Sequence, residues 1–541
     1  MLRVVAHLAA WLPFVLGPAR LIRHGWRPVG DEAAIALRSW NALTSHGPMV
    51  GQATRLAHGV FDPGPLEYWL LAIPVHLDTV HGVLWGAVIC CLVACSLAVE
   101  AAWSVLGAAG GLCASGLIIG LTVWLPDIAV TPSWNPWFGM TFFLAALAAA
   151  WAVMSGHRGW WPALVITASI AAQAHLMFTV PSAVLAVLAL IVGLADTIRG
   201  RPGYWWLITG LVAGAACWSA PLIQQFTSPD GNLGLLLRST GAATGPRTGG
   251  AFAFRALSAA VEPVPIWWKS RSPAAIYTLI NHRPAWFAVA VLILLAVAAV
   301  MAVRPLRCRP LGALAVVSLV ISLGSLVTYS GIPVHNTSLL TLGYLTVLLL
   351  PIGVLSWLVV GSWAVLTARL AVGGLAARPA RTWRRGTRKP GPATDDSARP
   401  GGRGLRGTGP VAGLTAAALV ALGTIVAVSL QGPDVRKVTG DPAMAATWSA
   451  SRQIARALPG QPIALSIHDS DASALGRITL GVTWALTPDG FRAESMHSRL
   501  ARELGDRYVF HGEAIPLVKI RVRQHGTSVA VTRPTQLASH G

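Results

Sequence analysis

The sequence predicts a mainly α-helical, polytopic membrane protein with a small α/β domain at its C-terminal end. Hydrophobic residues make up 54% of the 541 residues and charged residues only 11%, too little charge to cover the surface of a soluble protein. Uncharged runs such as 284–303 and 411–430 have the length of about 20 residues that a helix needs to cross a bilayer. Beyond the last run the composition changes to that of a soluble domain.

Hydropathy predicts about eleven membrane-spanning helices in all. The first run has no cleavage site after it, so we expect an uncleaved first helix rather than a signal peptide. The tenth is long enough for one tilted helix or for two spans broken near Pro351. The predicted spans are residues 4–21, 82–104, 108–125, 136–154, 161–177, 179–195, 204–222, 284–303, 310–329, 338–372 and 411–430.

Basic loops predict the orientation of these spans. With eleven spans, the four basic loops share one side, which the positive-inside rule makes cytoplasmic, whereas a twelve-span arrangement would place 378–409 outside. The net charge of +20 is therefore a feature of the loops, and no nucleic-acid partner is predicted. The first loop is an exception, because Arg20, Arg23 and Arg27 fall outside, where an anionic ligand would account for them. The four basic loops lie at 157–158, 199–201, 304–309 and 378–406.

This topology divides the chain into a transmembrane module, a linker, a last span and a C-terminal domain. The linker is rich in Pro, Gly and Arg, which is typical of a disordered cytoplasmic segment close to anionic lipid. In the C-terminal domain, which we expect to be extracytoplasmic, the patterns predict strands at 462–469 and 517–524 and helices at 441–457 and 495–504. The four parts are residues 1–376, 377–410, 411–431 and 432–541.

The six cysteines lie in apolar segments or in a short basic loop. Their positions predict neither a disulfide framework nor a metal site. No cofactor is predicted, and the sequence leaves a metal requirement open.

The outer loop 22–81 carries the candidate catalytic residues. Asp31 and Glu32 open a segment with apolar residues at helical spacing, which predicts an amphipathic helix along the outer interface. Acids in a first turn commonly complement the helix dipole, which is one interpretation of the pair. The other is a general base. Adjacent carboxylates titrate together, so one can accept a proton while the other is held by a hydrogen bond or a cation.

The acid pair, the helix and a proline-rich turn together resemble the GT-C membrane glycosyltransferases. The turn is Asp62, Pro63, Gly64 and Pro65, followed by LEYWLLA. This class includes protein O-mannosyltransferases, aminoarabinose transferases of lipid A, and mycobacterial arabinosyl- and mannosyltransferases; the chain looks most similar to uncharacterised actinobacterial members. The resemblance covers residues 1–225 by motif and the other spans by hydropathy. Where the family pattern has His before the prolines, this chain has Asp62.

The resemblance implies a multi-pass enzyme of the plasma membrane. Such enzymes move a sugar from a polyprenyl-phosphate carrier to a cell-envelope glycan, lipid or protein outside the cytoplasm. Carried over to this sequence, the general base is Asp31, with Glu32 as its partner. A single displacement would invert the anomeric carbon.

Other polar residues on the predicted outer side are candidate ligands. Arginines in the first loop and in the outer loop 223–283 could neutralise a phosphate leaving group through bidentate contacts. Each candidate also has a structural interpretation. The cations could solvate a loop or touch lipid headgroups, the Trp-rich turn at 131–137 could belong to an interfacial belt, and a lone His could be a packing residue. The candidates for donor phosphate are Arg55, Arg238, Arg271 and Arg283, and those for substrate are Asp62, Trp134, Asn135, Gln173, His175 and His335.

Two other functions stay open. A transporter or lipid flippase would be expected to show broken helices, inverted repeats and ionisable residues at mid-membrane, of which the sequence shows little. A non-catalytic scaffold with the same fold is the other possibility, which the missing turn His keeps open.

Overall fold

The computed structural model describes most of the chain. The described residues are 1–54, 59–125, 127–200, 203–240, 246–262, 278–303, 308–333, 345, 347–376, 442–468, 472–496, 504, 508–511, 515–523 and 526–532.

Ten of the predicted spans contain a helix, and the eleventh, 411–430, lies outside the described residues. Within the described ranges, seven helices are long and apolar enough to cross a membrane, judged by length and composition. The helices up to residue 376 are α1 (Leu2–Arg23), α2 (Asp31–Asn41), α3 (Leu66–Leu77), α4 (Gly82–Leu106), α5 (Ala108–Trp124), α6 (Asp127–Val130), α7 (Asn135–Ser155), α8 (Trp161–Ala174), α9 (Thr179–Ile198), α10 (Tyr204–Thr227), α11 (Asn232–Thr240), α12 (Gly249–Val261), α13 (Trp286–Val303), α14 (Arg309–Ser330) and α15 (Leu349–Ala376).

Helix α7 lies at the centre of the bundle, with 72% of its apolar window buried. It packs on α4 and α8, where small residues bring the helices close together, as is usual in membranes. A Cβ atom on Gly139 would lie 3.0 Å from the ring of Phe178. In the described part of the tenth predicted span, residues 349–372 lie in one continuous helix, α15, because Pro351 stands in its first turn, where its missing N–H costs no hydrogen bond. Residues 338–344 and 346 of that span lie outside the described residues.

Three of the predicted cytoplasmic loops meet at one end of the bundle. Arg158 Nη2 lies 2.8 Å from Asp196 Oδ2, which ties the loop before α8 to the end of α9. Arg309 Nε donates to the carbonyl of Met154, 3.1 Å away. The other end of the bundle carries α2, the turn 131–135 and residues 173–178, and we call it the site face.

The described residues of the C-terminal domain form a four-stranded sheet and two helices. These elements are α16 (Pro442–Ala457), β1 (Ile463–His468), α17 (Ala472–Leu486), β2 (Ala493–Ser495), β3 (Leu517–Arg523) and β4 (Gly526–Thr532). The strand order is β2-β1-β3-β4, with β1 parallel to β2 and to β3, and β4 antiparallel to β3. Both predicted strands and the first predicted helix are confirmed. The second predicted helix is not confirmed at its start, because Ser495 belongs to strand β2 and pairs with Leu465 of β1. Residues 497–503 of that predicted helix lie outside the described residues.

The C-terminal domain packs against the site face of the bundle. Trp484 of α17 is fully buried and lies edge-on to Trp40 of α2 at 6.1 Å. Asn41 Nδ2 donates to the hydroxyl of Tyr508 at 2.9 Å. Helix α2 is therefore a layer between the bundle and the domain, and its buried residues extend beyond the single face predicted for an interfacial helix. The sequence could not show this, because the domain that covers α2 is distant along the chain.

Candidate active site

Asp31 and Glu32 form the first turn of α2. Gly30 precedes them with φ at 58°, a left-handed conformation that glycine adopts without strain, and its N–H donates to the carbonyl of Arg477 at 3.2 Å. The acids stand where the helix dipole favours negative charge, so their position agrees with the interpretation that they complement the dipole. The second interpretation depends on the side-chain contacts.

The Asp31 carboxylate is exposed and held by two donors. Gln52 Nε2 donates to Oδ1 at 3.1 Å, and Trp134 Nε1 donates to Oδ2 at 2.9 Å. Each oxygen retains acceptor capacity, because a carboxylate has about four lone-pair positions. The side chain is thus oriented at the surface while still able to accept a proton.

Glu32 is partly buried beside Asp31. Burial, together with the negative charge of Asp31, raises the pKa of its carboxyl to about 7, against the opposite influence of a backbone hydrogen bond and of Arg477. Near neutral pH the pair therefore changes its charge, as expected for two coupled carboxylates.

Arg38, two turns after Asp31 on the same helix, holds the loop that carries Gln52. Its Nη1 donates to the carbonyl of Gly51 at 2.7 Å and to that of Val50 at 3.3 Å. The guanidinium also lies over the rings of Phe61 and Tyr68. Helix α2 thus contacts this loop at two points, through Arg38 at Gly51 and through Asp31 at Gln52.

Asp62 and Glu67 are buried acids behind this loop, 4% and 3% exposed. Asp62 Oδ1 accepts the N–H of Leu176 at 2.9 Å. Burial raises the pKa of Asp62 to about 8, against the influence of this hydrogen bond and of Arg38. Burial, with the charge of Asp62, raises the pKa of Glu67 well above its usual range. At pH 7 the two carboxyls therefore hold at least one proton, so Asp62 serves as a buried hydrogen-bonding group that fixes the turn.

We expect Asp62→Asn to alter the pH dependence of stability. The pKa of Asp62 is higher in the folded chain than in the unfolded chain, so between pH 4 and 8 unfolding releases its proton and the free energy of unfolding falls as pH rises, by up to about 1.4 kcal/mol per pH unit. The amide of the variant would keep the acceptor for Leu176 without this loss. Thermal unfolding in detergent should show that the midpoint of Asp62→Asn rises relative to that of the wild type from pH 5 to 8. For Asp489→Asn, at an exposed position, the difference in midpoint from the wild type should be the same at every pH. If the difference in midpoint between Asp62→Asn and the wild type does not change with pH, Asp62 is not a buried acid that holds a proton near neutral pH.

Three predicted substrate residues form the framework around Asp62. Gln173, 1% exposed, donates from Nε2 to the carbonyl of Cys217 at 2.8 Å. Its Oε1 packs so closely on the proline-rich turn that a Cβ on Gly64 would lie 2.1 Å away, which explains why the turn has glycine there. Asn135 donates to the carbonyl of Ala174, and His175 Nδ1 accepts the N–H of Met177. Direct substrate contact by these three stays a prediction.

The predicted phosphate ligands have different surroundings. Arg283 Nε lies 2.7 Å from Glu262 Oε1, so its charge is already paired. Arg238 is exposed on α11. The side chain of Asn232, at the start of α11, exchanges hydrogen bonds with the backbone of Phe61, which places that helix beside the turn. Arg55, Arg271 and His335 lie outside the described residues.

The structure thus joins Asp31, Trp134, Asn135, Asp62, Gln173 and His175 through contacts at the site face. Sequence reasoning missed Gln52, Arg38 and Arg477. Arg38 carried a weak signal, since it interrupts the apolar side of α2 at the same phase as Asp31. Gln52 and Arg477 carried none, because their roles depend on contacts with other segments.

No protein-family model and no curated protein matches this sequence. Among solved structures, the chain is similar to ArnT from Cupriavidus metallidurans in its crystal structure bound to undecaprenyl phosphate, with a TM-score of 0.52, 16% identity, and coverage of 98% of this chain and 97% of that one. The apo crystal structure of the same protein gives a TM-score of 0.50 at 15% identity, with 96% of each chain covered. This likeness confirms the predicted fold, since the chain shares the fold of ArnT over nearly its whole length.

Proposed function

We propose that this multi-pass membrane protein is a glycosyltransferase that moves a sugar from a polyprenyl-phosphate carrier to a cell-envelope acceptor on the extracytoplasmic side. The fold it shares with ArnT, which binds undecaprenyl phosphate, supports a polyprenyl-phosphate donor. The exposed Asp31 carboxylate, fixed by Gln52 and Trp134, is the observation that carries the proposal.

In the proposed reaction Asp31 accepts the proton of an acceptor hydroxyl. The hydroxyl oxygen attacks the anomeric carbon, the bond from that carbon to the phosphate oxygen breaks, and polyprenyl phosphate leaves with the bonding electrons. One displacement inverts the anomeric configuration. Glu32 remains beside Asp31 as its coupled partner.

Arg238 is the described candidate for contacting the leaving phosphate. Its exposed side chain is six residues beyond Asn232, hence about 9 Å along α11 from the contact with the turn. Its guanidinium would offset the charge that develops on the phosphate oxygen. Arg55 and Arg271 stay further candidates for the same role.

Trp134→Phe should slow transfer by roughly tenfold, because it keeps an aromatic ring but removes the donor to Asp31 Oδ2, a hydrogen bond worth about 1.5 kcal/mol or more to a charged acceptor. Gln52→Ala should act in the same direction through Oδ1. Initial rates of polyprenyl phosphate release would measure both. The control is Trp69→Phe, since Trp69 lies on α3 and is 38% exposed. Equal rates for Trp134→Phe and Trp69→Phe would count against an oriented Asp31.

Envelope analysis tests the proposal in cells. Mass spectrometry of envelope glycans, lipids and proteins from a deletion strain should show one sugar modification missing, restored by the wild-type chain and not by Asp31→Asn. Restoration by Asp31→Asn would instead indicate a scaffold or transporter. A transporter would be expected to have ionisable residues at mid-membrane, but these acids are paired near the ends of helices. Glu100 of α4 pairs with Arg3 and His7 near the start of α1, and Asp196 pairs with Arg158 at a loop.

A further inference from the structure

The C-terminal domain contacts the helix that carries the acid pair at more than one point. Arg27, just before that helix, lies 5.1 Å from the ring centre of Trp448 in α16. Arg27 is one of the first-loop cations for which the sequence suggested an anionic ligand. In the structure its contact is with a side chain of the C-terminal domain. Trp484 and Tyr508 extend the buried core of the bundle into the domain. Such contacts fix the position of α17 relative to α2.

Close packing of α17 on the N-terminal end of α2 places Arg477 beside the acid pair. The Arg477 carbonyl accepts the N–H of Gly30, and a Cβ on Gly30 would lie 3.2 Å from Arg477 Cγ and 3.5 Å from its Nε. One turn further along α17, a Cβ on Gly481 would lie 3.3 Å from Val29. The side chain of Arg477 therefore runs across the residue directly before Asp31.

We propose that Arg477 is a positioning residue of this site, through which the C-terminal domain balances the negative charge of the acid pair. The inference rests on the proposed function. An acid pair that works as a base needs one carboxylate free to accept a proton and the other held. Asp31 is the exposed carboxylate, oriented by two neutral donors, and it can accept the proton. Glu32 is the other carboxylate, and the cation that acts on it, Arg477, comes from the C-terminal domain.

Removal of this charge should move the titration of the pair. The charged groups that shift the titration of Glu32 are Asp31 on its own helix and Arg477 on α17, with opposite signs. Without the cation, Glu32 would hold its proton to higher pH, by about one unit for a partly exposed pair. Protonation of Glu32 removes one charge from the pair and weakens it as a proton acceptor.

The test is the pH profile of transfer by the full chain carrying Arg477→Gln. The acid limb of kcat/KM should shift upward by about one unit, so the rate falls roughly tenfold at pH 6.5 and stays close to that of the wild type at pH 9. Arg477→Lys should restore most of the profile. Arg456→Gln, at an exposed position of α16, is the matched control and should change nothing. A loss that is equal at every pH would show a merely structural role and overturn the inference, as would an unshifted profile.

A second measurement is independent of transfer. In thermal unfolding between pH 5 and 9, Arg477→Gln should change the pH dependence of the midpoint when Glu32 is present and not in a Glu32→Gln background. An equal change in both backgrounds would overturn the inference. If the wild-type chain consumes no polyprenyl-phosphate sugar, the proposed function fails, while this unfolding experiment still decides whether Arg477 acts on Glu32.

Discussion

Asp31→Asn is expected to lower the rate of sugar transfer by ~10² to 10⁴, the contribution of a well-placed general base. The amide keeps the size of the side chain but accepts no proton. It also disturbs the orientation, because both carboxylate oxygens accept hydrogen bonds from donors, whereas asparagine presents an acceptor on one side and an NH₂ group on the other. Rates of polyprenyl phosphate release from purified wild-type and variant chains would measure the loss.

The loss should be specific to chemistry. Asp31 is exposed, so the variant should lose no more in the free energy of unfolding than the about 1.5 kcal/mol of one hydrogen bond to a charged acceptor, and it should express at a similar level. Asp489→Asn, at an exposed aspartate of the C-terminal domain, should keep full activity. Full activity of Asp31→Asn would remove Asp31 from the mechanism.

Arg38→Met is expected to have the largest effect on stability, with a loss of about 3 kcal/mol in the free energy of unfolding and of most transfer activity. The buried guanidinium donates to two backbone carbonyls, and its charge lowers the pKa of Asp62 and of Tyr68 against the effect of burial. Methionine fills similar space but leaves both carbonyls without this donor. The released loop would carry Gln52 away from Asp31.

Thermal unfolding in detergent, with transfer rates measured on the same samples, tests this expectation. Arg456→Met, at an exposed position of α16, should leave both quantities unchanged. Arg38→Lys should fall between the wild type and Arg38→Met, since an ammonium keeps the charge but lacks the planar fork of donors. An unaltered midpoint for Arg38→Met would show that the loop is held by other contacts.

Local patterns were sufficient to predict much of the fold. Long apolar runs with few charges marked ten helices that the structure contains, because the bilayer imposes length and composition on each span independently of the others. Alternating apolar residues marked β1 and β3, but α17 was missed. Its two glycines and its β-branched residues obscure a helical pattern, and packing on α2 and β1 overrides those weak preferences.

The candidate site was predictable in part. The position of Asp31 followed from the first-turn acids and the family resemblance, and the contact with Trp134 joined two segments that had each been singled out. The placement of α2 beneath the C-terminal domain was not predictable, nor was Arg477, since both depend on a contact across more than four hundred residues of chain. Asp62 shows a different limit. Its chemistry as a buried, proton-holding acid depends on burial, which the order of residues does not show.

The most direct test of the central claim is to incubate the purified full chain with a panel of polyprenyl-phosphate sugars and follow the release of polyprenyl phosphate by mass spectrometry. We expect one donor to be consumed by the wild-type chain in the presence of an envelope extract that supplies the acceptor, with sugar transferred to that acceptor, and no consumption by Asp31→Asn. If no donor is consumed, or if the wild type and Asp31→Asn consume the same donor equally, the account of Asp31 as the base of a membrane glycosyltransferase is contradicted.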